Sequence, residues 1–304
     1  MFARNALIEC VPNFSEGRNK ATIAQIVDCF KHHPAIQLLN YSSDSNHNRM
    51  VVTALGHPDA MKQVVIDAIG KAVECIDLTK QAGAHPRLGA ADVIPFVPIR
   101  AMTMTEAVLL AKEVSQEVAK RHQLPIYLYE EAATAPHRIN LAAVRSGQFE
   151  GLSEKMASPL WVPDYGPSTP HLTAGASIVG ARKFLIAWNV NLKTDRLEVA
   201  KALAQAIRFS SGGLPFVKAL GLSLPDKGLV QVSMNLTDYT QTSMLQVFDC
   251  LCKEAAKFNV EILESELIGL LPQAALTGTT STYLKIKDFS PNRILENHFT
   301  SAQI

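Results

Sequence analysis

Apolar positions change their spacing repeatedly along the chain, and each change marks an element. Ala6–Val11 is a short apolar-rich run broken at Pro12-Asn13 and reads as a buried strand. Ile23, Ile26, Val27 and Phe30 then recur at helical spacing, and Pro34 ends that helix. Ile36–Leu39 and Met50–Leu55 read as strands flanking a polar loop, Ser42–Asn48. Met61, Val64, Val65, Ala68, Ala72 and Val73 form a second helical stripe. Val93–Ile99 follows as a strand whose two prolines suggest a sheet edge or a bulge. The order so far is β-α-β-β-α-β.

A further helix runs through Ala107, Leu110, Ala111, Val114 and Val118, with a strand at Ile126–Tyr129. Glu150–Gly175 carries several prolines among turn residues and no steady period, so it reads as a long ordered loop, a kind of segment that is often functional. Then the first order repeats. Phe184–Val190 is a strand, and Leu197, Ala200, Leu203, Ala204 and Ile207 form a stripe. Val217–Leu224 and Leu229–Leu236 are strands joined by the turn Pro225–Gly228. Leu245, Phe248, Cys252 and Ala255 form another stripe, and Val260–Leu263 a last strand. The expected fold class is therefore α+β: two ferredoxin-like β-α-β-β-α-β subdomains, helices on one face of an antiparallel sheet, spanning 1–180 and 181–304.

Composition narrows the function classes. The 304 residues suffice for roughly two domains, and 47% apolar with 19% charged residues is ordinary for a globular chain. A net charge of +1 supplies no bulk attraction to nucleic acid or anionic membranes. No apolar run reaches the ~20 residues that span a bilayer, and Met1–Cys10 lacks a signal-peptide pattern, so a cytoplasmic location is expected. The five cysteines are scattered, without a C-x-x-C pair, which argues against a disulfide framework or zinc knuckle. His47, His85 and His171 have no metal-binding spacing, so no metal is expected.

Four stretches could carry chemistry. Gln81–Ala90 sets His85 and Arg87 on a loop stiffened by Pro86, where its glycines permit unusual backbone angles; a surface histidine on an ordinary loop is the alternative. Asp44, His47, Asn48 and Arg49 crowd hydrogen-bonding groups at the start of a strand, or form a solvated turn. In Asn13–Arg18, Ser15 or Asn13 either caps the following helix or meets a ligand. Gly166–Lys183 resembles a P-loop but has Ala181-Arg182 where Lys and Ser or Thr are needed. Its glycines let backbone approach a flat ligand, or shape a turn into the next strand.

Taken together, eight colinear stretches resemble the glutamate formiminotransferase family, including the formiminotransferase part of formiminotransferase-cyclodeaminase. They are Glu9–Gly17 (ECVPNFSEG), Gly83–Gly89 (GAHPRLG), Asp92–Pro98 (DVIPFVP), Pro125–Tyr129 (PIYLY), Pro163–Ser168 (PDYGPS), Gly180–Ile186 (GARKFLI), Gln231–Leu236 (QVSMNL) and Phe289–Pro291 (FSP). The resemblance implies a ligand cleft between two ferredoxin-like subdomains, a homodimer, and transfer of a formimino group from formiminoglutamate to tetrahydrofolate as co-substrate. It implies His85 as the catalytic residue. Its folate-binding stretch falls on Gly166, Pro167, Ser168, Thr169, Pro170, His171, Leu172, Thr173, Ala174 and Gly175.

Asp44, His47, Asn48, Arg49, Arg87 and Arg182 are the substrate-binding candidates; the arginines suit glutamate carboxylates, and Arg182 could instead pair within the protein. The chain departs from the animal enzymes at Ala84, where they carry an acidic residue, and across Thr169–Ala174. Those departures keep two alternatives open: a catalytically silent folate-binding homologue, and a transferase with a related one-carbon donor.

Overall fold

The structure, a computed structural model, describes residues 2–299. Met1 and Thr300–Ile304, at the outer limits of the two expected domains, lie outside the described residues. The chain divides into two compact units between Arg182 and Lys183. Both mix helices and sheet, as the α+β expectation requires.

In the first unit, β1 (Leu7–Cys10) and β2 (Asn13–Phe14) are followed by α1 (Lys20–Lys31), β3 (Ile36–Asp44), β4 (Arg49–Gly56), α2 (Pro58–Cys75) and β5 (Ala91–Arg100). Next come α3 (Met104–His122), β6 (Ile126–Glu130), the short helices α4 (Leu141–Arg145) and α5 (Leu152–Met156), and β7 (Ser177–Ala181). β1 and β2 act as one strand broken at Val11-Pro12, pairing antiparallel with β4 on one side and β5 on the other. β3 closes the sheet beyond β4, while β7 and β6 extend it in parallel beyond β5.

The helices start where local chemistry lets them. Asn19 caps α1 by accepting from Ala21 and Thr22, and Thr103 and Glu106 form a reciprocal capping box at α3. The apolar stripes then bury Ile26 and Phe30, Met61 and Ile69, and Leu110 and Val114 against one face of the sheet. A smaller cluster of Val93, Tyr127, Val144, Leu152 and Ile178 packs apart from that core.

One open expectation is resolved and two change here. β5 is internal rather than an edge strand; its prolines are accommodated by irregular register against β1 and β2, the bulge alternative. Ser177–Ala181, within the stretch expected to carry only loop or turn, is a fully buried strand. β3 runs on to Asp44, so only Ser45–Asn48 remains as the turn.

Glu150–Gly175 is largely irregular as expected, but it contains α5 and a 3-10 turn at Pro159–Trp161. One charge pair holds part of this segment over the open side of β6. Arg138 donates to the Asp164 carboxylate at 2.8 Å and to the carbonyls of Leu160 and Val162. Asp164 in turn accepts from the β6 amide of Leu128 at 2.8 Å and from Thr134.

The second unit holds β8 (Ile186–Leu192), α6 (Leu197–Ile207), β9 (Val217–Leu224), β10 (Leu229–Leu236), α7 (Met244–Lys257) and β11 (Ile262–Ile268). Its four strands run antiparallel in the order β11-β8-β10-β9. Trp188, Val190, Leu203, Val232, Phe248 and Leu251 are buried together between strands and helices. The β9–β10 hairpin turns where the sequence predicts, with Gly228 at φ +60°.

The Arg138–Asp164 pair yields a stability prediction. Their side chains are only 8% and 7% exposed, so removing one partner strands a buried charge. Arg138→Ala is expected to cost about 3–5 kcal/mol in urea unfolding. A loss below about 1 kcal/mol, the range of an exposed ion pair, would mean the pair does not hold the segment.

Candidate active site

Three loops meet at one end of the central strands: 15–19 after β2, the turn 45–48 between β3 and β4, and 81–90 before β5. Polar side chains tie them together. Asn48 sits in the left-handed region at φ +50°, which asparagine tolerates. Its side chain accepts from Gly17 N at 2.9 Å and donates to Ala82 O at 3.1 Å. Gln81 donates to the carbonyls of Ser15 and Asn48, and Ser15 Oγ donates to Gly89 O at 2.7 Å. Ser15 and Asn13 therefore do not cap α1; Asn19 does.

The glycines serve close approach of backbone to backbone. A Cβ on Gly83 would lie 2.3 Å from His47 O, and one on Gly89 2.1 Å from Ala176 O. Neither has positive φ, so the unusual angles expected of this loop are absent. Gly175 and Gly180, read as opening space for a flat ligand, instead meet Leu88 O and Tyr129 O of the protein itself.

At the centre, Arg49 Nη1 lies 2.9 Å from His85 Nε2. A guanidinium can only donate, so Nε2 carries the lone pair and the ring proton is on Nδ1. Arg49 also reaches Asn13 Oδ1 at 3.4 Å. Burial, then the charges of Arg49 and Arg145, lower the His85 pKa to about 4, while the Pro86 carbonyl opposes the shift. His85 is thus a neutral imidazole near pH 7, with Arg49 donating to its lone pair. The His47 ring stands edge-on, its centroid 6.5 Å away, and pairs with Asp44 at 3.1 Å.

Arg145 and Asp92 are the partners that the sequence reading did not assign. Asp92, 2% exposed, receives Arg145 Nη2 at 2.6 Å on one oxygen. Its other oxygen accepts from Leu88 N at 2.7 Å and Gly89 N at 3.3 Å. Lys155 caps the end of α4 that carries Arg145, donating to the carbonyls of Ala143, Val144 and Ser146. A lone Asp in the apolar run of β5 was the one available signal; Arg145, in an Ala-rich stretch, offered none.

The other candidates separate. Arg87 is buried and bonded to Glu150 at 2.9 Å and to the carbonyls of Gln81 and Leu78, so it braces the loop beneath His85. Arg182 acts on a different group: its charge falls on Glu9, Cys10 and Tyr129. There, burial raises the Glu9 pKa to about 7 against the pull of Arg182. Within Gly166–Gly175, His171 and Gly175 close a small hairpin through paired backbone bonds of 2.9 and 3.0 Å. Ala90 N bonds Ala174 O at 3.0 Å, so this end of the stretch abuts the His85 loop. Gly166, at the other end, abuts Leu124 and Pro125.

The electrostatics predict a titration shift. His85 titrates lower folded than unfolded, so between about 4 and 6.5 the unfolded chain binds more protons. Stability from this group is present above 6.5 and is lost as pH falls through that window. Arg49→Gln removes one opposing cation. The His85 ring, followed by NMR, is expected to titrate at higher pH, with a shallower loss of stability between those limits. An unmoved midpoint would show that Arg49 does not hold the imidazole neutral.

Comparison with known proteins identifies the chain's relatives. Residues 7–182 match the family model "Formiminotransferase domain, N-terminal subdomain", and 187–298 match "Formiminotransferase domain". The chain is 45% identical to a Streptococcus pyogenes protein named glutamate formimidoyltransferase, over 96% of this chain and 98% of that one. It is 43% identical to a Thermoplasma acidophilum protein of the same name, over 98% of each. A mouse formimidoyltransferase-cyclodeaminase is 41% identical over 91% of this chain but only 52% of its own length. With both halves matched and relatives of this identity covered nearly end to end, the chain belongs to the formiminotransferase family.

Proposed function

We propose that this protein transfers the formimino group of N-formimino-L-glutamate to tetrahydrofolate, giving 5-formiminotetrahydrofolate and L-glutamate. The relatives' names supply the substrate class. The observation that carries the reading is His85, a neutral imidazole with its Nε2 lone pair held in a corner of excess positive charge.

The reaction needs such a group. A nitrogen of tetrahydrofolate attacks the formimino carbon, and a tetrahedral intermediate forms. Collapse breaks the bond from that carbon to the glutamate nitrogen, which leaves poorly unless protonated. His85 accepts the proton from the attacking folate nitrogen and delivers it to the glutamate nitrogen, ending as it began. General acid–base help of this kind contributes on the order of 10²–10⁴-fold, and holding both substrates together contributes further. The protonated formimino group is an electrophile by itself, so no metal is invoked.

Arg49 is the carboxylate-binding candidate nearest His85, with Asp44 and His47 on the rim and Asn48 holding the loops. Arg87 and Arg182 take supporting roles on the contacts described above. Tetrahydrofolate lies along Gly166–Gly175, whose His171–Gly175 hairpin adjoins the His85 loop. The strand order β11-β8-β10-β9, with α6 and α7 as crossovers, supports a ferredoxin-like second unit. The order β3-β4-β1/β2-β5 supports the same core in the first, with β7 and β6 as additions. Among the described residues no helix is long and apolar enough to cross a membrane. The homodimer is carried by the family resemblance alone.

Turnover of formiminoglutamate with tetrahydrofolate by the purified chain is the test. His85→Ala is expected to lose about 10²-fold or more while staying folded. An equally active mutant would remove His85 from the mechanism. An inactive wild type that still binds folate would favour a silent folate-binding homologue.

A further inference from the structure

We propose that Arg49 and Arg145 together bind one carboxylate of the formimino donor, and that this binding releases the His85 Nε2 lone pair that Arg49 holds in the free protein. The inference rests on the donor being an N-substituted glutamate. It makes Arg145 a substrate-binding residue and the donor's own charge the trigger that readies the base.

The geometry leaves both guanidiniums short of acceptors. Arg49 is half-buried, and its best acceptor is a neutral imidazole nitrogen at 2.9 Å, backed by a long contact to Asn13. Among the described residues, no carboxylate is paired with it within 4.0 Å. Arg145 has Asp92 at 2.6 Å through Nη2, but its Nε is buried without a partner. The second oxygen of Asp92 is already taken by the amides of Leu88 and Gly89. Only Arg145 is paired with Asp92, while Arg49 feels Asp92 and Asp44 at longer range, and each guanidinium carries a charge that no pH near neutrality removes. Their mutual repulsion adds to the burial that already disfavours the charge on Arg49. An anion with two oxygens, presented between them, satisfies donors on both and cancels that repulsion.

The consequence for His85 follows from its surroundings. The groups facing it are Arg49 from β4, Arg145 from α4, His47 from the β3–β4 turn and the Pro86 carbonyl from its own loop. Asp44 faces His47, and Asp92 stands with Arg145. In the free protein, Arg49 occupies the only lone pair through which the neutral ring can take a proton. When a carboxylate accepts from Nη1, that lone pair is freed toward the substrate. The cationic field that opposes ring protonation is neutralised at the same time. The base is therefore blocked and weak before the donor arrives, and open and stronger once it is seated.

L-Glutamate, the product of the proposed reaction, is the probe. Calorimetric titration into the full chain, and NMR titration of the His85 ring with and without saturating glutamate, read the two halves of the inference. Glutamate is expected to raise the His85 midpoint from about 4. Arg145→Gln should weaken glutamate binding by about ten- to hundredfold, the range for lost hydrogen bonds to a charged group. Arg145→Lys should recover part of it, because a point charge replaces the fork. In turnover, Arg145→Gln should raise the KM for the donor more than it lowers kcat.

Unchanged glutamate affinity in Arg145→Gln overturns the inference, as does a His85 midpoint that ignores saturating glutamate. Should Arg145→Gln fail to fold, the wild-type titration alone decides. A wild type that turns over formiminoglutamate while His85 ignores glutamate keeps the reaction and sinks the clamp. An inactive wild type whose His85 still responds keeps the clamp and sinks the reaction.

Discussion

The Asp92 carboxylate is the fixed point of the site. It projects from β5, an internal strand held on both sides, and it is almost wholly buried. One oxygen gathers the amides of Leu88 and Gly89, which fixes the loop carrying His85; the other holds Arg145. A buried carboxylate is costly unless its lone pairs are filled, and here the three donors that fill them are the pieces that must be aligned. The loop and the short helix α4 are thereby referenced to the same strand. Arg87–Glu150 and the Lys155 cap add a second tie between them.

Burial and charge work together around this point. His85 is pushed toward its neutral form by burial and by two nearby guanidiniums, whereas Glu9, on β1, is pushed toward its neutral form by burial against one. In each case desolvation is the larger cause and the neighbouring charge sets how far it goes. The imidazole is thereby held neutral well below pH 7, whereas the Glu9 carboxyl, with its pKa raised to about 7, is the group brought to titrate near neutral pH.

Most elements were legible because their signal is local. The stripe through Ile23, Ile26, Val27 and Phe30 requires a helix whatever surrounds it, and Val217–Leu224 with Leu229–Leu236 were read residue for residue. The elements left open or misread depended on neighbours. The prolines of β5 left an edge and a bulge both open, and only the irregular register against β1 and β2 selects the bulge. Ser177–Ala181 looked like a glycine-rich approach to a ligand, yet Gly180 is glycine because the backbone of β6 lies where a side chain would go.

The sequence by itself determined the α+β class, the run of helices and strands, the family, and His85 as the residue to watch, because periodicity and motif are written in consecutive positions. Tertiary structure alone decided that Arg49 rather than Arg87 meets His85. It also brought in Arg145, 60 positions further on, to share the site. The physical reason is that a guanidinium's role is set by the acceptors within about 3 Å of it, and those come from strands and loops that only folding brings together. Arg87 found Glu150 and carbonyls and became a brace, while Arg49 found an imidazole.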